Sequence, residues 1–397
     1  MSYKKWFVLI AAVMLLALVL TACGGGGGDK SPIKVGAIHD LTGPTSDVGT
    51  PYAEGIKAYV EWLNANGGIN GRQIELISAD YAYKVDQAEQ LYTQYVQEGV
   101  VAFQGWGTGD TEALRTKIAA DKIPFMSASY SANLLDMNEA PYNFLVGTSY
   151  SDQGVIAMQW AVQDWQAKGN SGTPKIALAH HDSPFGKSPI PDMQAYADAN
   201  GIEFMTIAMP KATDFVAELA QIQQFGANYV IMHTVSSPAA VMAKDARSQG
   251  MTDSVQFICL NWCADEIFIS LAGDAAEGIV GALPFTPPSS PVPGHEAADK
   301  WLKEHGSSLS EKGLHFTQGW WTMAIMTEGI KRTLDAGQEL TGENIKTALE
   351  GIQGFDTQGV TSPISFSPTS HRGNTALRLF RVENGQWVKA SDYISAP

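Results

Sequence analysis

Apolar residues follow two periods that alternate along the chain. After a β-rich run at residues 33–38, the segment 52–66 places Ile56, Tyr59, Val60 and Leu63 at helical spacing. Short apolar runs and amphipathic stretches keep alternating to residue 127, and a second series restarts near residue 151. Because strands that alternate with helices are joined by crossover connections, this order predicts an α/β fold of two doubly wound parallel sheets.

Each series predicts several elements. The first predicts strands at 33–38, 73–78, 100–104 and 123–127, with helices at 52–66, 85–99 and 111–121. The second predicts helices at 153–167, 191–200, 215–225, 238–249 and 266–272, with strands at 175–180, 203–208, 229–232 and 255–260. Residues 281–293 hold five prolines, too many for a helix or a central strand, and are predicted to be a connector.

The last part of the chain predicts three helices and a strand-rich end. The helices are expected at 296–304, 316–336 and 341–351, and β-structure at 364–366 and 376–382. Asn384-Gly385 is a strong turn signal between 376–382 and Trp387-Val388. This end of the chain therefore predicts a closing β-hairpin.

The sequence at the N-terminus indicates that the protein is exported. Lys4 and Lys5 precede an uncharged apolar run at residues 6–20, which is short for a membrane span and typical of a signal peptide, assigned to residues 1–22. Leu20-Thr21-Ala22-Cys23-Gly24 resembles a bacterial lipobox, which implies cleavage before Cys23 and its lipidation. The alternative is an ordinary signal peptide with an incidental cysteine. Residues 23–32 are glycine-rich and predict a flexible tether to the outer face of the cell membrane.

The amino-acid composition limits the classes of protein to which this chain can belong. A chain of 397 residues, 45% hydrophobic and 17% charged, predicts two or three globular units at about 150 residues per domain. Acidic residues outnumber basic ones 41 to 26, which argues against a nucleic acid partner. Three cysteines are too few for a disulfide scaffold; Cys259 and Cys263 could pair, although two buried thiols are the favoured reading.

Several short segments, taken together and in order, carry a family resemblance. They are Leu41-Thr42-Gly43-Pro44, the run Asn64-Ala65-Asn66-Gly67-Gly68-Ile69-Asn70-Gly71, Ile123-Pro124, the run Ala272-Gly273-Asp274-Ala275-Ala276-Glu277-Gly278, and the terminal strand signals. Their order resembles the type I extracellular solute-binding proteins of ABC transporters, specifically the branched-chain amino acid (leucine/isoleucine/valine) binding family. The resemblance spans about residues 33–388.

The resemblance implies two lobes joined by three crossovers, near residues 147–151, 283–288 and 366–373. Lobe 1 would comprise 33–149 and 286–368, and lobe 2 would comprise 150–285 and 369–397. It also implies that a small molecule binds between the lobes and is delivered to permease subunits of a transporter.

The first lobe offers two candidate binding loops. Ligands of open α/β sheets bind beyond the carboxyl ends of the strands, and free amides at a helix start favour an anion. The loop containing Trp106, Gly107 and Thr108 lies at such a place, and the resemblance assigns Thr108 to the ligand carboxylate and Trp106 to an apolar wall. It assigns Tyr130 and Ser131 to a second carboxylate loop. The alternative for each residue is an ordinary cap or turn.

The candidate residues of the second lobe do not identify the ligand. Phe185 matches a family aromatic that contacts the ligand, and Trp262 is a further aromatic candidate. Asn261 stands where amino-acid-binding members carry a glutamate that pairs with the ligand ammonium. Burial of an ammonium without an anion costs several kcal/mol, so either Asp265 or another acid substitutes, or the ligand is not an α-amino acid.

Other residues in the cleft carry weaker signals. Val48 stands where amino-acid-binding members often carry an aromatic, and Tyr81 and Tyr83 follow a predicted strand. A metal site at His180, His181 and Asp182 is disfavoured, because neighbouring residues of a strand point to opposite faces. The sequence therefore predicts neither a metal nor a cofactor.

The favoured function is a lipid-anchored solute-binding protein for a small carboxylate, with a branched-chain or other hydrophobic amino acid as the first candidate. The alternatives are an amide, urea or aromatic acid as ligand, or a role as a ligand sensor. An enzyme is disfavoured, because the chain has no HExxH, GxSxG or Walker lysine motif.

Overall fold

The computed structural model describes residues 30–210 and 213–396, and their strands form two separate sheets. The first sheet is parallel throughout, in the order β2-β1-β3-β4-β5. Its strands are short apolar runs, as expected when helices cover both faces of a parallel sheet. They are β1 (Ile33–His39), β2 (Ile74–Asp80), β3 (Ala102–Gly105), β4 (Phe125–Ser127) and β5 (Asn143–Phe144).

The second sheet repeats this order and adds an antiparallel edge. Its parallel part runs β7-β6-β8-β9-β10, and β11 and β12 continue it as an antiparallel hairpin. The hairpin turns at Asn384 and Gly385, which both have positive φ, so the predicted closing hairpin is confirmed. The strands are β6 (Ile176–His181), β7 (Phe204–Met209), β8 (Tyr229–His233), β9 (Gln256–Cys259), β10 (Val280–Leu283), β11 (Ala376–Glu383), β12 (Gln386–Lys389) and β13 (Ile394–Ser395), which pairs with β11.

Helices connect the strands of both sheets. In the first part they are α1 (Ser46–Ala65), α2 (Val85–Gln97) and α3 (Thr108–Asp121). In the second part they are α4 (Tyr150–Ala167), α5 (Pro184–Lys187), α6 (Ile190–Asn200), α7 (Val216–Phe225), α8 (Ser236–Ser248) and α9 (Glu266–Ala272). The third group is α10 (Glu296–Glu304), α11 (Leu309–Asp335) and α12 (Gly342–Glu350). The alternation confirms the predicted α/β class and doubly wound parallel sheets.

Several predicted boundaries and one predicted strand differ from the structure. Helix α1 begins at Ser46 rather than at residue 52, and Pro51 lies inside it. Helix α11 begins at Leu309 rather than at 316 and is interrupted at Gly313, which has φ 78° and ψ −172°. The predicted strand at 364–366 is reduced to an isolated bridge between Phe355 and Ile364. Residues 281–283 belong to strand β10, so the proline-rich connector begins after Leu283.

The chain passes between the two sheets three times. It leaves the first sheet after Phe144, leaves the second after Leu283, and returns to the second at Ala376. We call the first sheet with α1–α3 and α10–α12 the first lobe, and the second sheet with α4–α9 the second lobe. The domain boundaries at 149/150, 285/286 and 368/369 stay a proposal.

Helices α1 and α11 of the first lobe contact each other through their backbones. A Cβ built on Gly55 would lie 2.1 Å from the carbonyl oxygen of Phe316, and one on Gly319 would lie 2.0 Å from that of Tyr52. Both positions therefore require glycine, since the neighbouring atoms belong to a helix backbone. This packing fixes the part of α11 that reaches the cleft between the lobes.

The remaining structural predictions concern the N-terminus and the cysteines. The signal peptide at 1–22 and Cys23 lie outside the described residues, as does most of the tether at 23–32. Within the described ranges, no helix is both long and apolar enough to cross a membrane. Cys259 and Cys263 are buried and free, so the favoured reading of two thiols agrees with the structure.

Candidate functional site

A small cavity lies between the lobes, where the carboxyl ends of the two sheets face each other. In both sheets the strand order reverses between the first and third strands, β1/β3 and β6/β8, and such switch points are where α/β sheets bind ligands. The loops after all four of these strands reach the cavity. The lining residues are Thr45, Val48, Tyr83, Trp106, Gly107, Thr108, Ala128, Tyr150, Phe185, Val235 and Trp262.

One end of the cavity is polar. The hydroxyl of Thr108 lies 2.6 Å from that of Ser129, so the loops after β3 and β4 meet there. Thr108 is also the first residue of α3, and the first N–H groups of a helix have no partner within it. Together with the helix dipole, these groups form a site suited to a carboxylate or another anionic oxygen.

A buried carboxyl group lies behind this polar end. The amide of Gly107 donates to the hydroxyl of Tyr81 at 3.2 Å, and that hydroxyl donates to Asp110 at 2.8 Å. Burial raises the pKa of Asp110 to about 7. Asp110 does not line the cavity, and its contacts hold the Gly107 loop in place.

The opposite wall is aromatic and is built around Trp262 of the second lobe. Its ring centroid lies 5.1 Å from that of Trp106 and 6.0 Å from that of Tyr52, both of the first lobe. The ring of Tyr130 stacks against it at 5.9 Å. The indole N–H donates to the hydroxyl of Tyr150 at 2.9 Å. Trp262 is therefore a second-lobe side chain packed among aromatic residues of the first lobe.

The other walls are held by hydrogen bonds from the loops themselves. The indole N–H of Trp106 donates to Thr45 at 2.9 Å, and Thr45 in turn donates to the buried Asp40. In the second lobe, Nε2 of His233 donates to the carbonyl oxygen of Phe185 at 3.1 Å. Burial lowers the pKa of His233 to about 3, so this imidazole is neutral.

The structure brings together part of the predicted site. Trp106, Gly107, Thr108, Phe185 and Trp262 all line the cavity. Tyr130, Ser131 and Asn261 do not line it. Tyr130 lies behind Trp262, and the Ser131 hydroxyl donates to Glu112 at 2.7 Å. The Asn261 side-chain oxygen accepts a 2.6 Å hydrogen bond from Gln318, while its buried side-chain nitrogen has no hydrogen-bond partner among the described residues.

Asp265, one of the alternatives that the sequence left open as a substitute for the missing glutamate, is also engaged elsewhere. It caps helix α9 by accepting from the amide of Phe268 at 2.7 Å. Its second oxygen accepts from the Ser236 hydroxyl at 2.6 Å and lies 2.8 Å from Nε2 of His315. It does not line the cavity, and these partners already satisfy its charge.

Sequence reasoning missed several lining residues. Thr45, Ala128 and Val235 follow β1, β4 and β8 within a few residues, so the rule that ligands bind at the carboxyl ends of strands would have found them. Tyr150 begins the helix after a crossover and carries no local signal. Val48 and Tyr83, noted in the sequence with weaker signals, line the cavity.

The histidines after β6 make ordinary local contacts. The Nδ1 atom of His181 lies 2.8 Å from the Ser183 hydroxyl, and Asp182 pairs with Lys187 at 2.7 Å. Across the part of the chain that the structure describes, no group of three or more His, Cys, Asp or Glu side chains is placed to hold a metal ion.

Comparisons with known proteins agree with this geometry. A solved structure of a branched-chain amino acid ABC transporter protein from Thermus thermophilus with bound valine superposes with a TM-score of 0.86. It is 26% identical and covers 93% of this chain and 97% of its own. A solute-binding protein from Rhodopseudomonas palustris in complex with p-hydroxybenzoic acid shares the fold, with a TM-score of 0.77, 20% identity, and coverage of 92% and 97%.

Sequence comparison leads to the same group of proteins. The leucine-, isoleucine-, valine-, threonine- and alanine-binding protein of Pseudomonas aeruginosa is 22% identical over 343 residues, 84% of this chain and 88% of that protein. The family model of the periplasmic binding proteins matches residues 32–386, nearly all of the described chain. This chain therefore belongs to the periplasmic binding protein family, with the type I fold of two lobes around a ligand cavity.

Proposed function

We propose that this protein is the solute-binding component of an ABC importer and that it captures a small apolar carboxylate between its lobes. One observation carries the ligand class. Of the eleven described residues that line the cavity, most are aromatic or aliphatic, Thr108 provides a hydroxyl at a helix start, and none is charged. An apolar cavity with a few placed polar groups is typical of a small-molecule site.

The lining argues against a free amino group on the ligand. A buried ammonium needs an anionic partner, and without one it costs several kcal/mol. Asp265 is occupied by His315 and Ser236, and Asp47 accepts from the Ser237 hydroxyl across the cleft at 2.6 Å. We therefore propose a branched aliphatic or aromatic acid without an α-amino group.

A branched-chain amino acid is the second candidate. It is favoured by the valine bound in the Thermus thermophilus structure and by the name of the Pseudomonas aeruginosa relative. In that case an acid near the cleft has to turn toward the ligand when it binds.

Pairs of ligands that differ only in the amino group separate the two candidates. We expect 4-methylpentanoate to bind at least about tenfold tighter than leucine, and 3-phenylpropanoate tighter than phenylalanine, since about 1.4 kcal/mol corresponds to tenfold. Titration calorimetry on the purified protein measures both affinities. Tighter binding of the amino acids would overturn our ligand class in favour of the second candidate, and binding of neither member would overturn both.

We propose that Thr108 binds the carboxylate. Replacement by valine keeps the shape and removes the hydroxyl, and a hydrogen bond to a charged group is worth roughly 1.5–3 kcal/mol. We expect Thr108→Val to weaken binding of the tightest ligand about 10- to 100-fold in the same titrations. Thr333→Val is the matched control, because Thr333 is buried in α11 and donates to Gly329. Unchanged affinity in Thr108→Val would contradict this role.

The membrane anchor and the transporter complete the proposal. Lipidation of Cys23 would hold the protein on the outer face of the cell membrane, beside the permease subunits that receive the ligand. The lipobox resemblance at residues 20–24 supports the anchor, and membership of the periplasmic binding protein family supports the transport role.

A further inference from the structure

An ion pair crosses the cleft beside the ligand cavity. Nε2 of His315, on α11 of the first lobe, lies 2.8 Å from the carboxylate of Asp265 of the second lobe. Each side chain is only 1% exposed. The other ring nitrogen of His315 donates to the side-chain oxygen of Gln318 at 2.7 Å. The imidazole therefore lies between two side-chain oxygen atoms, an arrangement that favours its doubly protonated, cationic form.

A second contact crosses the cleft at the next residue of each lobe. The carboxylate of Glu266 accepts from the backbone amide of Leu314 at 2.8 Å. That amide is free because α11 is interrupted at Gly313, where a Cβ would lie 2.8 Å from the same carboxylate. A carboxyl group of the second lobe therefore caps the main part of a first-lobe helix.

We propose that Asp265, Glu266, Leu314 and His315 form an interlobe latch that stabilises the closed arrangement of the lobes and weakens as pH rises. None of these residues lines the ligand cavity. Closure by the latch does not depend on the ligand class proposed above, whereas any effect on affinity rests on that proposal.

The direction of the pH effect follows from the protons that each state holds. Burial alone would lower the pKa of His315, but the Asp265 carboxylate and Gln318 outweigh it and raise that pKa. Burial, with the Asp265 charge, raises the pKa of Glu266 to about 7. Both groups bind protons more tightly when the latch is closed, so each stabilises closure at low pH. The contribution of Glu266 is lost as pH rises from its ordinary pKa of 4.5 to about 7, and the loss of the His315 proton weakens closure in the same direction.

Other charged and titratable groups lie on the elements packed around the latch. Burial raises the pKa of the Cys259 thiol well above its ordinary value, so it stays neutral. The groups on the elements packed around the latch are Glu311 and Lys312 of α11, Glu54 of α1, which pairs with Lys312 at 2.8 Å, and the thiols of Cys259 and Cys263.

Hydrogen–deuterium exchange on the full chain, stripped of ligand, tests the latch. At pH 6 we expect protection of the peptides that cover residues 261–266 and 313–318. Between pH 6 and 8, after correction for the intrinsic pH dependence of exchange, we expect at least about fivefold faster exchange there, the lower end of typical coupling strengths. The cleft loops at 106–111 and 234–236 should lose protection together with them, because opening exposes both lobes.

Variants of the latch residues test whether these contacts hold the two lobes together or act only locally. His315→Asn should show the high-pH exchange pattern already at pH 6, in both lobes. Glu266→Gln keeps an acceptor for the Leu314 amide and removes one titrating group, so it should stay protected to higher pH. His305→Asn is the matched control, since His305 is exposed and contacts only its own helix at Trp301. Protection that is the same at pH 6 and 8 in the parent and in Glu266→Gln would overturn the proposal.

Discussion

Trp262→Ala is expected to weaken ligand binding about 100-fold. The indole of Trp262 is 3% exposed and packs between Trp106, Tyr52 and Tyr130 of the first lobe. Truncation of a buried aromatic costs roughly 3–5 kcal/mol of packing. Because these partners belong to the opposite lobe, most of that loss falls on the closed state, and about 2.7 kcal/mol corresponds to 100-fold in affinity. Titration calorimetry with the tightest carboxylate ligand measures the effect.

Trp160→Ala is the matched control for this change. Trp160 lies on α4 of the second lobe, half-buried, with its ring edge toward Tyr229 at 6.2 Å. Its ring contacts Tyr229 and not the cavity lining. Trp160→Ala should therefore lower the stability of the protein and leave its ligand affinity within about threefold of the parent. If Trp262→Ala also stayed within threefold of the parent, the indole would not form the wall that we describe.

Gly319→Ala is expected to lower the free energy of unfolding by about 2–4 kcal/mol. In an open helix this substitution would stabilise by up to about 1 kcal/mol, because alanine has the higher helix propensity. Here the new methyl group would lie 2.0 Å from the carbonyl oxygen of Tyr52, a backbone atom of α1. The two helices have to separate, and overpacking of this kind typically costs more than propensity returns. Urea-induced unfolding, followed by circular dichroism, measures the loss.

Gly351→Ala provides the comparison. Gly351 has φ −80°, and its added methyl group would meet nothing closer than the carbonyl oxygen of Ala348 at 3.4 Å. We expect a change within about 0.5 kcal/mol at this position. Equal unfolding midpoints for Gly319→Ala and the parent would mean that α1 and α11 can move apart at no cost.

Local sequence patterns predicted the elements that carry the site. Trp106, Thr108, Phe185 and Trp262 line the cavity, and each follows a strand of a predicted parallel sheet, a position that is readable from the sequence. The family resemblance supplied the two-lobed fold, which the match over residues 32–386 confirms. The start of α1 was predicted at residue 52, but the helix begins at Ser46. It includes Pro51, a residue type that is disfavoured inside a helix.

The sequence did not predict the direction of individual side chains in these loops. Tyr130, Ser131 and Asn261 occupy loops at the correct edge of a sheet, yet their side chains bind Trp262, Glu112 and Gln318 rather than facing the cavity. A loop's position follows from the order of strands. The direction of each side chain depends on which partners other parts of the chain bring near it.

The sequence by itself therefore determined the order of strands and helices and the loops that meet at the cleft, because hydrophobic periodicity and turn residues act over short distances along the chain. Only the tertiary structure decided whether the side chains of Asp265 and Asn261 are free to bind a ligand. Asp265 contacts His315, and Asn261 accepts a hydrogen bond from a glutamine 57 residues away in the chain. Neither contact can be predicted from the sequence near these residues. Such contacts form only when two lobes, each already folded around its own sheet, close on each other.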